Sequence, residues 1–392
     1  MTRRPVLVGA ALTAVLGGCS AAPAALSADD HTVSVTAADD GCALSPAATA
    51  PGVLTFAVTN DGSDVTEFYL LGTDGRTVLG EAENIGPGIT RELVVDVQPG
   101  SYLASCVPGM SGDGIRSPFT VTAGTAASTP ATVDPAIAQA QATYLDYVRD
   151  QTTQLLDATR EFADAYRSGD TARARTLYAT ARTPWERVEP VAEAFGDLDP
   201  RMDLREADVT DGDDWTGWHR LEKDLWPPTP AANGGVTYTP LTAQERERYL
   251  DLLLADTQDL VDRTHADTFS VGVDQIGNGA AALLEEIATG KVTGEEETWS
   301  HTDLWDVQAN LDGATAAYEA LRDLTLARDP ELATLVDGRV GDVQAVLDAH
   351  RTATGFVPYT DLSSSDVQTL ARVVDALGEP LSRLTAAVLA PR

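Results

Sequence analysis

The chain changes its hydrophobic period part-way along. From His31 to Thr122 apolar residues tend to recur at every second position. The runs His31–Thr36, Val53–Val58, Glu67–Leu71, Arg91–Val97 and Ser117–Val121 alternate in this way. Turn residues separate them, in Asn60-Asp61-Gly62, Thr73-Asp74-Gly75, Gly86-Pro87-Gly88 and Gln98-Pro99-Gly100. Short strands at this spacing predict a β-sandwich. From Pro135 onward the apolar steps are three and four residues, as in Val148, Leu155, Phe162 and Tyr166, or Leu304, Val307, Leu311, Tyr318 and Leu321. Such stripes predict amphipathic helices packed as an all-α bundle. Residues between the two regions are rich in Ala, Thr, Ser and Pro and have no period, which marks a linker over 124–134. The expected organisation is therefore multidomain: a β-sandwich over 28–123 joined to a helical bundle over 135–392.

The first residues read as an export signal. Arg3 and Arg4 precede an apolar run, Val6 to Leu16, that is too short to span a bilayer. Small residues then lead to Cys19, the pattern of a lipobox in which Cys19 is lipidated, with residues 1–19 as signal peptide and lipobox. A plain secretory signal is the alternative. The expected location is extracytoplasmic: lipid-anchored at the cell membrane, or periplasmic. With Asp and Glu totalling 60 against 27 Lys and Arg, the net charge is −33. That balance excludes nucleic acid and anionic lipid surfaces as electrostatic partners and favours cations. Beyond Cys19 the chain has only Cys42 and Cys106. In an oxidising compartment they either form a disulfide or ligate a metal.

The sharpest local motif is Gly217-Trp218-His219-Arg220-Leu221-Glu222. On a helix His219 and Glu222 share a face, and an imidazole and a carboxylate three residues apart can hold one metal ion. Glu186 and Glu189 repeat the spacing, and Asp203 is a further candidate. Oxygen and nitrogen ligands without thiolate suit iron or zinc. Neutral imidazole is needed to bind metal, so binding is expected to weaken as His219 protonates below about pH 6. The zinc-protease pattern H-x-x-E-H fails, because Lys223 stands where the second His would be. In the β region Cys106-Val107-Pro108-Gly109-Met110 has the form of a copper loop, yet His31 is the region's only histidine, and a blue-copper centre needs two.

Taken together these residues resemble the EfeO family, the extracytoplasmic component of EfeUOB-type iron-uptake systems. The likeness runs through Asp40-Gly41-Cys42, Thr66-Glu67-Phe68, Glu83 to Gly88, Gln98 to Tyr102 and Cys106. It continues through Trp185 to Pro190, Gly217 to Glu222, Gly294-Glu295-Glu296, Ser300 to Asp306, and Arg351-Thr352 with Gly355-Phe356. The resemblance implies a cupredoxin-like N-terminal domain and an imelysin-like helical domain, and a carrier rather than an enzyme. It implies a main iron site at Glu186, Glu189, Asp203, His219 and Glu222, and a second site near Cys42, Glu67, Glu83 and Cys106. Copper and zinc stay open as ligands. The implied partners are an inner-membrane iron permease and a haem peroxidase of the dye-decolorising kind. A metallopeptidase of the imelysin type is the rival reading.

Overall fold

The computed structural model describes residues 31–389, apart from 76, 111, 113, 123–133 and 211–213. The expected signal, Cys19 and nearly all of the linker lie outside the described residues.

Nine strands build two facing sheets. They are β1 Thr32–Ala38, β2 Gly41–Ser45, β3 Ala48–Thr49, β4 Gly52–Asn60, β5 Thr66–Leu71, β6 Val78–Ile85, β7 Thr90–Val97, β8 Gly100–Pro108 and β9 Ile115–Val121. One sheet has the order β2-β1-β4-β7, the other β3-β9-β8-β5-β6. β1 runs parallel to β4 and β3 to β9, and the other pairs are antiparallel. Alternate residues point inward, so Val33, Val35, Leu54, Phe56, Val58, Phe68, Leu70 and Phe119 form the sandwich core. Cys42 on β2 and Cys106 on β8 are disulfide-bonded across the two sheets. This corrects their reading as metal ligands. A sulfur bonded to sulfur is no thiolate, and the thiolate is the form that ligates metal.

The helical region contains α1 Pro135–Arg167, α2 Thr171–Glu186, α3 Leu198–Asp203, α4 Gly217–Leu225, α5 Ala243–His265, α6 Val273–Thr289, α7 Asp303–Arg328, α8 Pro330–Asp348, α9 Ser364–Leu381 and α10 Leu384–Leu389. Asp134 caps α1, accepting from the Ala136 N–H at 3.0 Å, and Pro135 supplies the fixed φ of a first helical residue. Helix α1 packs along α2, α5 and α7, while α6 packs against α7 and α9. The expected stripes are the ones buried: Val148, Leu155, Phe162 and Tyr166 face one core with Leu304, Val307, Leu311, Tyr318 and Leu321. Among the described residues no helix is long and apolar enough to cross a membrane.

Helix α6 also meets the sandwich. Asn278 donates to the Val94 carbonyl at 2.8 Å, Asp274 accepts from the Asp96 N–H at 2.9 Å, and Arg91 pairs with Glu285. These contacts set β5 and β6 opposite the helical acids. Gly279 makes a second close approach, since a Cβ there would stand 1.7 Å from the Pro190 carbonyl oxygen. Glycine lets α6 pass this close to the segment carrying Glu189.

The disulfide yields a test. Replacing Cys42 and Cys106 together by Ser frees a 64-residue loop, which should cost about 4 kcal/mol of stability. Denaturant unfolding would read the loss. Iron stoichiometry should be unchanged, and a lost equivalent would return the sulfurs to the ligand set.

Candidate metal centre

Short segments, rather than long helices, deliver the acidic groups. Glu186 is the last residue of α2, and Glu189 opens a 3-10 turn over Glu189–Phe195. Asp203 ends α3, which starts at Leu198-Asp199-Pro200, where the proline breaks any helix running in from the N-terminal side. A proline is tolerated in a first helical turn, so the break and the new helix coincide. Helix α4 then brings His219 and Glu222. Its first residue, Gly217, has φ of +82°, and a Cβ there would stand 2.1 Å from the Met202 carbonyl oxygen. Only glycine lets α4 begin against the end of α3.

His219 is 2% exposed, and its two nitrogens face different partners. Nδ1 lies 3.2 Å from Glu222 Oε2. The other oxygen of Glu222 accepts from the backbone N–H groups of Trp299 at 2.8 Å and Ser300 at 2.7 Å. Glu222 therefore orients the ring, the usual task of a carboxylate behind a metal-binding histidine. Nε2 makes no hydrogen bond among the described residues, with Asp203 Oδ1 at 3.4 Å and Glu296 Oε1 at 3.6 Å. Two groups have all three ligand atoms within 4.8 Å of one another: Asp203, His219 and Glu296, and His219, Glu222 and Glu297.

Glu186 and Glu189 stand beside these groups, paired to buried cations. Arg182, fully buried, donates to Glu186 and Asp203, with its Nε 2.8 Å from Glu297 Oε1. Lys291 donates to Glu189 at 2.7 and 2.8 Å and to Glu186 at 3.2 Å. Asn310 donates to both carboxylates, at 3.0 and 2.6 Å. Sequence reasoning missed Glu296 and Glu297 as members of these groups, together with Arg182 and Lys291. Glu296 stood only in the family run, and the loop after α6 has no helical period to reveal either acid. His301 backs the loop through its carbonyl, which accepts from the Tyr359 N–H at 2.9 Å. It belongs to neither of the two groups.

The electrostatics follow from burial. Burial opposes the imidazolium of His219, as does Arg182, but Glu222, Glu296 and Asp203 outweigh them and raise its pKa well above the ordinary value. The metal-free ring therefore keeps its proton to higher pH than the sequence predicts, and an entering metal ion must displace that proton. Burial also works against the charge of Glu296, yet Lys291, His219 and Arg182 hold its pKa well below the carboxylate range. Burial raises Glu297, with Glu222 adding to it, and raises Asp306, whose two oxygens make no hydrogen bond among the described residues. Burial pulls Lys291 down, but Glu186 and Glu189 reverse the shift and keep it an ammonium.

A cleft of about 280 Å³ opens onto Asp203 and Glu296. Its helical wall carries Glu189, Glu193, Asp199, Arg205 and Glu286, and its sheet wall Tyr69, Glu81 and Glu83. Tyr69 donates to Glu67 at 3.0 Å and lies 3.5 Å from Glu83. Of the expected β-region site, Glu83 lines this cleft and Glu67 stands behind it, accepting from the Tyr69 hydroxyl, while Cys42 and Cys106 lie in the sandwich core. Glu189 and Asp203 of the expected helical site line the same opening.

The family model described as imelysin matches residues 140–384, and the site lies within that span. The iron uptake system component EfeO of Yersinia pestis is 34% identical over 364 residues, 92% of each chain. EfeO of Escherichia coli O1:K1 / APEC is 34% identical over 370 residues, 93% of each chain. A solved putative iron-regulated protein A precursor from Parabacteroides distasonis shares the fold, with a TM-score of 0.51 at 18% identity over 67% of this chain and 97% of that one. The helical region is thus an imelysin domain. The whole chain belongs to the EfeO family of iron uptake components.

Two outcomes test this geometry. Gly217→Ala should cost about 3 kcal/mol or more, read by thermal melting, because the new Cβ meets backbone that cannot yield. The second concerns pH. Burial, then neighbouring acids, pushes Glu83 from 4.5 and Asp199 from 3.8 up to about 7. The folded state then binds these protons more tightly than the unfolded chain. The stabilisation is complete below the ordinary values and is lost as pH rises through 7. Metal-free protein should show a falling Tm from about pH 5 to about pH 7, and Glu83→Gln/Asp199→Asn should flatten that slope.

Proposed function

We propose that this chain is the extracytoplasmic iron-binding component of an EfeUOB-type uptake system. It captures ferrous or ferric iron and delivers it to an inner-membrane permease. A haem peroxidase of the dye-decolorising kind is the third member, and a lipid on Cys19 holds the chain at the membrane. The sandwich is the cupredoxin-like half of that design. The observation that carries the reading is the buried Nε2 of His219, without a hydrogen bond among the described residues and set between Asp203 and Glu296 at the inner end of an acidic cleft. Relatives named as iron uptake components along nearly the whole length support it.

The mechanism is capture, not turnover. The acid-lined cleft concentrates cations. At its inner end Asp203, His219 and Glu296 supply two oxygens and one nitrogen, a donor set suited to iron. Glu222 fixes the ring so that Nε2 points at the ion. Glu186 and Glu189 complete the negative basin through Arg182 and Lys291.

The metallopeptidase reading has less support. At the place of a second histidine, the Lys223 ammonium pairs with Glu206 and lies 4.6 Å from the Trp299 ring centroid. A peptide-turnover assay separates the two, as does a metal-preference series for copper or zinc handling.

The direct test is an anaerobic iron titration of the soluble chain beside His219→Ala/Glu222→Ala, with bound metal counted after gel filtration. The variant should lose about one equivalent while keeping its helical spectrum. Equal binding by both proteins would assign His219 and Glu222 a structural role.

A further inference from the structure

A buried lysine is an unexpected neighbour for a cation site. Lys291 opens the 3-10 turn Lys291–Thr293 that follows α6, and it is fully buried. Both oxygens of Glu189, Oε2 of Glu186 and Oδ1 of Asn310 surround its Nζ at 2.7, 2.8, 3.2 and 3.3 Å. That is an oxygen shell around a point charge, the arrangement that a hard divalent cation takes. Glu296 Oε1 joins the two halves of the site, 3.9 Å from the Lys291 ammonium and 3.6 Å from His219 Nε2. One carboxylate oxygen thus faces both the tethered cation and the His219 ring nitrogen.

Arg182 shows by contrast what a permanent partner looks like. Its planar guanidinium is fixed by bonds to Glu186 and Asp203 on one side and lies near Glu297 and Asp306 on the other. Lysine is a compact charge on a flexible stem, able to swing aside without breaking a bidentate fork. An ion arriving at Glu296 comes within strong repulsion of that ammonium in a poorly solvated site.

We propose that Lys291 is a tethered competitor for the cargo ion. Its ammonium occupies Glu186 and Glu189 in the metal-free site, yields their oxygens as the ion enters beside Glu296, and returns to them as the ion leaves. The oxygens are never left bare, so departure of the ion does not expose uncompensated buried charge. A carrier must both hold iron and let it go, and this exchange of one cation for another lowers the cost of the second step. The inference rests on the His219 site reading.

Mn(II) is the probe, with affinity measured at equilibrium and release timed into excess EDTA. Lys291→Met keeps the stem and removes the charge. It should bind Mn(II) at least about tenfold more tightly than wild type and release it correspondingly more slowly. In the His219→Ala/Glu222→Ala background, Lys291→Met should restore Mn(II) retention, because the Glu186 and Glu189 oxygens become free. Equal or weaker binding, with unchanged release, overturns the proposal. Where Lys291→Met needs an ion in order to fold, it is purified with Mn(II) present. Failure to fold even then also overturns it, since the metal does not replace the ammonium. Wild-type retention of Mn(II) by His219→Ala/Glu222→Ala would sink the His219 reading instead, and the Lys291→Met comparison still reads Lys291 on its own.

Discussion

A carboxylate taken out of water must be matched by a proton, a fixed cation or a metal ion. The helical core of this chain is organised around that requirement. Glu186, Glu222, Glu296, Glu297, Asp303 and Asp306 are all buried, and the buried cations near them are Arg182, Lys291 and His219. Negative groups outnumber positive ones, and burial pushes Glu297 and Asp306 toward their protonated forms. Those same buried charges are what the proposed capture of iron draws on. Packing around them is correspondingly firm: Trp218 sits between Phe162 and Tyr178, beside His219, and fixes α4 against α1 and α2.

The sandwich enters this balance from outside. Helix α6 holds it through Asn278, Asp274 and Glu285, so that Glu81 and Glu83 form one wall of the acidic cleft. The disulfide fixes the sandwich core on the side away from those acids. The region for which the family resemblance implies a second metal site thus contributes Glu81 and Glu83 to the wall of the helical cleft.

Much of this architecture is legible in the sequence because periodicity reports one-sided burial. Strands β1, β4, β7 and β9 and the long helices each have one buried face, and each stands near its expected place; β5, buried on nearly every residue, also stands near its expected place. Strand β8 escapes notice because it lies between β5 and β9 and its second half is buried on both faces, which erases alternation. Strand β6 escapes for the opposite reason: nearly every residue in it is half-buried, with α6 packed against it. At the site, His219 and Glu222 are readable because their spacing is helical. Glu296 and Glu297 are not, since only the fold carries that loop to the histidine. Arg182 and Lys291 look like ordinary surface bases in the sequence, and nothing local marks them as buried.

The position of the bound ion separates the helical core from the sheet wall as the metal centre. Crystals of iron-loaded protein, measured at the iron absorption edge, give that position directly through anomalous scattering. The strongest peak should lie beside His219 Nε2, bounded by Asp203 and Glu296. A peak held by Glu81 and Glu83 with none beside His219 would contradict the account and move the centre to the sheet wall of the cleft.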